Sequence, residues 1–318
     1  MTGPLVVLGA GGYLGTAVAG RAELLTRQVL LARRPGGSPP VARAPGAGVV
    51  DCDVADPADL RRVVDGAGAV VHLASDLAGR DGWRGVGRAH RGAEVMVNLI
   101  EACRRAERPV CVVLASTVGH QGVAGGALSP YEEGKREEER LLLEATAAGQ
   151  VDGVVLRLPT VYGCSPAAPS RPGRGVVATM VRRALSGEPL TVWAGGTVRR
   201  SFLHVEDAAQ AFVASLSAAE ALRGGCWDVA PDVTLELRDA LATVAAVVAE
   251  VTGRAAVPVE SVTPPAHALP ADLEDVAVDA GPFRERSGWR PTRTFAEGVH
   301  DAVTTLAGDR PLQEGSRR

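Results

Sequence analysis

The sequence predicts an α/β fold in which a doubly wound parallel sheet is followed by a smaller mixed α/β part. Two observations support this prediction. Short apolar runs alternate with helix-forming segments over the first half of the chain, and the links between them are short. The first run, residues 5–8, stops at a glycine-rich turn, as a buried parallel strand does where a helix follows it. The carboxyl ends of such strands meet at one edge of the sheet, where ligands bind.

Each element follows from its own local pattern. Apolar runs bounded by Gly, Pro or Asp indicate strands, and longer segments that end at turn residues indicate helices. Pro57 suits the first position of its helix, and Ser129 suits the cap of another. The predicted strands cover residues 5–8, 29–31, 49–50, 69–73, 110–115 and 154–156, and the predicted helices cover residues 16–25, 57–64, 93–106 and 131–148.

The composition of the chain changes after Gly163. Residues 164–175 are rich in proline, which predicts an irregular segment, and helices follow near residues 176–186, 205–217 and 237–251. We therefore predict a Rossmann-type nucleotide-binding domain over residues 1–163 and about 200–230. A substrate-binding cap is predicted over about 164–199 and 231–318.

Composition excludes several classes of partner. A formal net charge of −3 over 318 residues gives no reason to expect nucleic acid or an anionic membrane. No apolar run reaches the roughly 18 residues that span a bilayer, and the N-terminus lacks the pattern of a signal peptide. The five cysteines are dispersed, without a CxxC pair or a His at metal-ligand spacing. We therefore predict a cytoplasmic protein with reduced thiols and no metal site.

The turn after the first strand has the composition of a phosphate-binding loop. Glycines let the backbone turn tightly and approach a pyrophosphate, whose charge then lies at the N-terminus of the following helix. A tight strand-to-helix turn without a ligand is the alternative. The residues predicted to contact a dinucleotide here are Gly9, Gly11, Gly12, Tyr13, Leu14 and Gly15.

Two arginines end the second strand, where a dinucleotide-binding fold commonly has an acidic residue for the ribose 2′-hydroxyl. A guanidinium at Arg33, next to Arg34, suits a 2′-phosphate instead, and we expect no carboxylate nearby to repel that phosphate. The cofactor predicted is therefore NADP(H). The alternative is that both side chains are solvated loop charges.

A YxxxK motif supplies the candidate proton chemistry. Tyr131 and Lys135 are four residues apart, so they share one face of a helix. The 34 basic residues include a single lysine, Lys135, and the chain has three tyrosines, which makes a chance match improbable. A free tyrosine has a pKa of about 10, and a nearby cation lowers it, so that the phenol can exchange a proton more readily. The alternative is an accidental pair on a charged helix.

These motifs resemble those of the extended short-chain dehydrogenases/reductases, a branch that includes the NAD-dependent epimerases and dehydratases. The resemblance also rests on RLPTVYG at 157–163, RSFLHVED at 200–207 and GWRP at 288–291. It implies that a hydroxyl at the end of the fifth strand binds the substrate oxygen; we favour Thr117, with Ser116 as the alternative. It implies a structural role for His72. Further cofactor contacts are implied for Asp53, Val54, Leu73, Ala74, Ser75, Leu158 and Pro159.

Within that branch, residues 154–207 most resemble the 4-ketoreductases that act on nucleotide-activated 4-keto-6-deoxyhexoses in antibiotic sugar pathways. The resemblance implies NADPH-dependent reduction of a C4 ketone, with dTDP as the nucleotide. It also implies that Arg200 binds the substrate diphosphate, and a structural ion pair with Glu206 or Asp207 is the alternative. The predicted substrate contacts are Trp83, His120, Thr160 and Arg200.

Two departures from the family pattern narrow this prediction. Val118 and Gly119 follow Thr117 where dehydratases carry Asp-Glu, which argues against elimination chemistry. The Asn usual in the helix before the fifth strand has no equivalent near Gly92. The competing hypotheses are an epimerase with tightly bound NAD and a non-catalytic redox sensor, against which the intact YxxxK pair counts. The resemblance further implies a homodimer formed through the helices at about 93–106 and 131–148.

Overall fold

The structure, a computed structural model, confirms the predicted α/β class with a Rossmann-type doubly wound sheet. It describes residues 3–21, 28–37, 46–75, 86–119, 128–165, 175–265, 268, 270–276 and 278–308. Within these residues, seven parallel strands form the main sheet, and a three-stranded and a two-stranded sheet are built from later segments.

Strands and helices are numbered in chain order. The strands are β1 (Leu5–Leu8), β2 (Val29–Arg33), β3 (Gly48–Asp51), β4 (Ala69–His72), β5 (Cys111–Thr117), β6 (Asp152–Leu158), β7 (Thr160–Tyr162), β8 (Leu190–Trp193), β9 (Arg199–His204), β10 (Cys226–Asp228), β11 (Thr234–Glu236) and β12 (Val259–Val262). The helices are α1 (Tyr13–Arg21), α2 (Pro57–Val64), α3 (Val86–Cys103), α4 (Pro130–Ala147), α5 (Val176–Leu185), α6 (Val205–Ser217), α7 (Ala219–Leu222), α8 (Leu237–Thr252), α9 (Gly281–Ser287) and α10 (Phe295–Gly308).

The strand order of the main sheet is β10-β6-β5-β4-β1-β2-β3. After β3, at one edge of the sheet, the chain crosses to β4 on the other side of β1. This reversal leaves a crevice beyond the carboxyl ends of β1 and β4, which is where doubly wound sheets bind their ligands.

Successive side chains of each strand point to opposite faces of this sheet. Val7 and Val71 belong to a core shared with α1 and α6, whereas Val6 and Val70 belong to a core shared with α2, α3 and α4. All four side chains are fully buried, and each such burial stabilises the fold by about 2 kcal/mol. The sheet is therefore covered on both faces, and its carboxyl edge is a firm base for a site.

A separate core joins α5, α8 and α10 to β7, β8 and β9. Its centre is aromatic, with the Tyr162 ring 5.0 Å from Phe295 and edge-on to Phe202 at 6.4 Å. Phe283 and Trp289 lie between α8 and α10 in sequence, yet they pack in the core shared with α6. The Trp289 indole donates a hydrogen bond to the carbonyl oxygen of Asp207 at 3.0 Å, which anchors this segment to the main sheet.

The helix bounds agree with the sequence best where a cap is present. α4 starts one residue from its predicted start because Ser129 caps it and the Glu132 carboxylate accepts from the Ser129 backbone N–H at 2.8 Å. α3 starts at Val86, whereas the predicted start was residue 93. The prediction was too late because Gly87 and Gly92 weaken the helical pattern of the sequence. The predicted end of α1, at residue 25, lies outside the described residues.

Two absences apply to the part of the chain that the structure describes. No helix there has both the length and the hydrophobicity to cross a bilayer. No group of three or more His, Cys, Asp or Glu side chains there could hold a metal ion.

Candidate active site

The turn between β1 and α1 is built from glycines that leave no room for side chains. Gly9 has a φ of +84°, and a Cβ there would lie 2.8 Å from the backbone nitrogen of Ala74, just after β4. A Cβ on Gly15 would overlap the carbonyl oxygen of Gly9. These two glycines therefore let β1, the end of β4 and the first turn of α1 meet at the crevice.

The start of α1 completes a cradle that fits a pyrophosphate. The first N–H groups of a helix have no acceptor within it and carry the positive end of its dipole. The Gly12 N–H closes the turn on the Gly9 oxygen at 2.9 Å, while Gly11 and Leu14 are half-buried beside it. The Tyr13 hydroxyl donates to the Gly163 oxygen at 2.7 Å, so its side chain ties the turn to the end of β7. These features fit a dinucleotide held by backbone atoms.

Arg33 has an ionic partner that the sequence analysis did not predict. The β2–β3 register sets Arg33 opposite Asp51, and its Nε lies 2.8 Å from Oδ1 of that carboxylate. Its Nη1 also donates to the Gly37 oxygen at 2.9 Å. The expectation that no carboxylate lies nearby was wrong, because Asp51 is close in space although 18 residues away in sequence. Arg34, the second predicted arginine, is exposed.

The other predicted cofactor contacts lie at the same edge of the sheet. Asp53, after β3, is exposed, and its Oδ1 accepts from the Ala55 N–H at 3.1 Å, so the carboxylate stabilises its own turn. Leu158, at the end of β6, is buried, and its carbonyl accepts from the Val118 N–H at 3.1 Å. The remaining residues follow β3, β4 and β6: Val54, Leu73, Ala74, Ser75 and Pro159.

The last two residues of β5 point to opposite faces of the sheet. Ser116 is buried, and its hydroxyl donates to Oε1 of Glu139 on α4 at 2.5 Å. Thr117 is half-buried, and its Oγ1 accepts from the Gly119 N–H at 3.0 Å, which leaves its own O–H as a donor. Because the Ser116 hydroxyl is engaged in the interior, Thr117 stays the hydroxyl that we predict for the substrate oxygen.

Tyr131 and Lys135 lie one turn apart on α4. Lys135 is 5% exposed, and Tyr131 is half-buried. Burial raises the pKa of the Tyr131 phenol and outweighs the Lys135 ammonium, which lowers that pKa; the Glu138 and Glu132 carboxylates raise it further. Lys135 lowers the pKa as predicted, but burial, which the sequence analysis did not consider, makes the net direction upward. Tyr131 therefore carries its proton at neutral pH, and the Lys135 ammonium favours the release of that proton.

The Lys135 ammonium also has an unpredicted partner, because its Nζ lies 2.8 Å from Oε2 of Glu138. Burial lowers the pKa of Lys135, but the Glu138 carboxylate and Tyr131 raise it, and the net direction is upward. The run Glu137-Glu138-Glu139 resembles a solvated helix face, which is why it was overlooked. The three-residue spacing between Lys135 and Glu138 was the available signal.

Glu139 and His72 are two more buried groups, one on α4 and one at the end of β4. Glu139 accepts from Nη2 of Arg157 at 2.6 Å, besides its bond to Ser116, and so ties α4 to β5 and β6. His72, at the end of β4, is buried, and that burial together with the Lys135 charge lowers its pKa to about 3. A neutral imidazole agrees with the structural role predicted for His72.

Arg200 on β9 is held by the backbone of residues 272–274. Its Nη2 donates to the carbonyl oxygen of residue 272 at 3.1 Å, and its Nη1 donates to that of residue 274. This differs from the alternative of an ion pair within its own motif, since Glu206 pairs with Arg21 and Asp207 accepts from Thr292. Of the other predicted substrate contacts, Thr160 is half-buried at the start of β7, whereas Trp83 and His120 lie outside the described residues.

The fold and this site define a dinucleotide-binding protein of the short-chain dehydrogenase/reductase type. The chain belongs to the NAD dependent epimerase/dehydratase family, which matches residues 5–230. This membership confirms the resemblance to the extended branch that the motifs indicated.

The chain is also similar to several enzymes. The chain is 27% identical to dTDP-6-deoxy-L-talose 4-dehydrogenase (NAD(P)(+)) of Kitasatospora kifunensis, over 94% of each chain. It is 33% identical to D-erythronate dehydrogenase of Cupriavidus necator, over 44% of this chain and 46% of that one. It is 25% identical to dTDP-glucose 4,6-dehydratase of Salmonella typhimurium, over 55% and 46%. In the last two cases the match spans about half the length of the relative.

Solved structures of similar fold cover nearly the whole chain. UDP-glucose 4-epimerase of Thermotoga maritima, solved with UDP-glucose, matches with a TM-score of 0.79 and 20% identity over 96% of this chain and 99% of that one. UDP-glucose 4-epimerase of Thermus thermophilus, solved with NAD, matches with a TM-score of 0.74 and 24% identity over the same shares. At these identities the likeness shows the fold alone.

Proposed function

We propose that the protein is an NADPH-dependent reductase of the C4 ketone in a nucleotide-activated 4-keto-6-deoxyhexose, with dTDP as the nucleotide. The observation that carries the proposal is the placement of Tyr131 one helical turn from the buried Lys135 on α4, at the edge of the sheet that also bears the glycine turn. The relative that aligns over 94% of both chains is a dTDP-6-deoxy-L-talose 4-dehydrogenase, which supports both the C4 position and the nucleotide.

In this proposal each side chain has a separate task. The glycine turn and the start of α1 would hold the cofactor pyrophosphate, and Lys135 would bind the nicotinamide ribose. The cofactor, when bound, supplies the hydride that reduces the ketone carbon. Thr117 donates a hydrogen bond to the ketone oxygen, and Tyr131 gives that oxygen its proton. The Lys135 ammonium then stabilises the phenolate that remains on Tyr131.

The preference for NADPH would rest on Arg33 and be limited by Asp51. The side chains of this pair are 26% and 50% exposed, so their interaction is worth about 0–1 kcal/mol. A 2′-phosphate, which pairs bidentately with a guanidinium, can displace such a partner. The Asp51 carboxylate also suits the 2′-hydroxyl of NAD, so we expect the preference for NADPH to be modest.

Elimination chemistry is disfavoured by the residues that follow Thr117. Val118 is buried and apolar, and Gly119 has no side chain, so neither can move a proton. The Glu132 carboxylate lies next to Gly119, but it accepts from both the N–H and the hydroxyl of Ser129 at 2.8 Å. Its role is therefore that of a helix cap, which supports a reductase over a dehydratase.

The second candidate is a nucleotide-sugar epimerase that keeps its cofactor bound. Family membership and the fold shared with UDP-glucose 4-epimerases favour it. An epimerase uses the same tyrosine as base and acid in turn, so the phenol must lose its proton before the first hydride transfer. A reductase instead takes the proton from the phenol and consumes one cofactor hydride per turnover, and an assay can measure that difference.

A single assay separates these candidates. The purified protein is mixed with NADPH and a panel of dTDP-4-keto-6-deoxyhexoses, and NADPH oxidation is followed while NMR gives the product configuration. The proposal predicts one NADPH oxidised per alcohol formed. Interconversion of sugars without net NADPH oxidation, with NAD retained through purification, would identify an epimerase. A tightly bound cofactor with no turnover of any sugar would identify a redox sensor.

A homodimer formed through α3 and α4 remains a prediction. Val97 on α3 is 50% exposed, so it is a suitable position at which to test this interface. Sedimentation of the wild-type protein and of Val97→Glu checks this, since a charge in that interface is expected to give monomers.

A further inference from the structure

A buried carboxylate contacts the ammonium of the YxxxK pair. The side chains of Lys135 and Glu138 are 5% and 7% exposed, and their Nζ and Oε2 atoms are 2.8 Å apart. Burying two charges requires that each be well partnered, because both lose their hydration. A carboxylate at this place therefore restrains the ammonium that the proposed chemistry uses.

The facing helix is shaped to accept this carboxylate. Gly92 on α3 lies opposite Glu138, and a Cβ on Gly92 would overlap Oε1. The three atoms nearest to that Cβ position all belong to the Glu138 side chain. Glycine is a poor helix former, so its presence inside α3 needs a reason. The room that it leaves for the Glu138 carboxylate supplies that reason.

The three consecutive glutamates of α4 have three different partners. Glu137 is on the surface, where it pairs with Arg140 at 2.6 Å. Glu139 pairs with Arg157 and joins α4 to the sheet. Glu138, between them, contacts Lys135. Glu137 is therefore a natural control for Glu138, because the two share a helix and a side chain but not a partner.

We propose that Glu138, accommodated by Gly92, is a positioning residue that holds the Lys135 ammonium oriented towards Tyr131 and the cofactor ribose. One of the three ammonium donors is fixed on Glu138, which leaves two donors directed by that contact. The inference rests on the proposed function, because it assigns to Lys135 the role given there.

The charges around the pair give the sign of the expected pH effect. The charges on α4 belong to Glu132, Glu138 and Glu139. His72 at the end of β4 interacts with Lys135 and is neutral. On α3, the side chains of Arg91 and Glu94 are exposed. Glu138 raises the pKa of Tyr131 and that of Lys135, so Glu138→Gln lowers both. Reduction needs a protonated Tyr131, so the alkaline decline of kcat is expected to move to lower pH.

The first experiment compares Glu138→Gln, Glu138→Asp and Glu137→Gln with wild type in the NADPH assay. We expect Glu138→Gln to lower kcat about tenfold and to shift the alkaline limb, while KM for the sugar changes by less than kcat. Glu138→Asp is expected to recover part of the loss, and Glu137→Gln is expected to match wild type. Equal behaviour of Glu138→Gln and Glu137→Gln would overturn the proposal.

The second experiment needs no substrate, so it separates this inference from the proposed function. Tyrosinate absorbance is titrated in the folded protein. The same titration of Tyr131→Phe identifies the part of the signal that belongs to Tyr131, because burial raises the pKa of all three tyrosines. Tyr131 in the Glu138→Gln variant is expected to ionise at lower pH than Tyr131 in the Glu137→Gln variant. An unchanged titration would overturn the proposal even if the wild-type protein reduces no sugar.

A cycle of Gly92→Ala and Glu138→Ala tests the facing helix. Alone, Gly92→Ala is expected to lower Tm because its Cβ overlaps the carboxylate. In the Glu138→Ala background the overlap is gone, and the same change is expected to raise Tm because alanine favours a helix. The same shift of Tm in both backgrounds would contradict the complementarity of Gly92 and Glu138.

Discussion

The two ends of the crevice hold ion pairs of equal length in different surroundings. Lys135 and Glu138 are 2.8 Å apart with 5% and 7% exposure, and Arg33 and Asp51 are 2.8 Å apart with 26% and 50% exposure. Solvent screens the second pair, whereas the first lies in a low-dielectric interior where an unpaired charge is costly. Ion pairs of the same length are therefore fixed where they are buried, beside Tyr131, and exchangeable where solvent reaches them, at the end of β2.

The largest expected effect is a loss of kcat when the Tyr131 hydroxyl is removed. Tyr131→Phe removes the proposed proton donor but little volume, so kcat is expected to fall about 10³-fold, with the Kd of NADPH nearly unchanged. Steady-state kinetics and fluorescence titration of NADPH measure both. Tyr162→Phe, in the aromatic core far along the chain, is the control and should keep its kcat. A Tyr131→Phe enzyme with most of its turnover would exclude the proposed role.

The next largest effect is a difference in the free energy of unfolding when the cation of each ion pair is removed. Lys135→Met leaves Glu138 buried without its cation, so the free energy of unfolding is expected to fall by about 3–5 kcal/mol. Arg33→Met, at the exposed end, is expected to cost less than about 1 kcal/mol. Urea unfolding measures both variants. The double variant Lys135→Met with Glu138→Leu should recover much of the stability, and equal losses at the two ends would refute the comparison.

The smallest effect is expected at the exposed ion pair between β2 and β3. Asp51→Asn frees Arg33 and removes a charge that repels a 2′-phosphate, so the ratio of kcat/KM for NADPH over NADH should rise about fivefold, or about 1 kcal/mol. The gain should shrink as salt screens the charges. Asp152→Asn is the control, since Asp152 pairs with Arg223 at the start of β6, away from the crevice. An unchanged ratio would mean that Asp51 does not face the cofactor.

Local signals predicted the parts of this molecule that depend on neighbours in sequence. The first strand, the glycine turn and α4 with its Ser129 cap follow from patterns of a few residues. The start of α3 did not, because glycines interrupt its pattern where packing against Glu138 decides the residue. Local preference and tertiary packing disagree there, and packing decides.

The partners of the charged groups depended on contacts that no local pattern reveals. Arg33 meets Asp51 through the register of β2 with β3, which a sequence does not specify. The lowering of the Tyr131 pKa by Lys135 was predicted, but the larger effect of burial was not, because burial of the phenol depends on the whole fold. The residues of the site were thus easier to predict than the electrostatics between them.

In the proposed reaction, NADPH transfers a hydride to C4 of the sugar and Tyr131 supplies the proton. The most direct test uses NADPH carrying deuterium at the transferred position of the nicotinamide, with a dTDP-4-keto-6-deoxyhexose as substrate. The account predicts one deuterium at C4 of the alcohol for each NADPH oxidised, and loss of this transfer in Tyr131→Phe. A product without deuterium at C4, or an interconverted sugar with the label still on the cofactor, would contradict it.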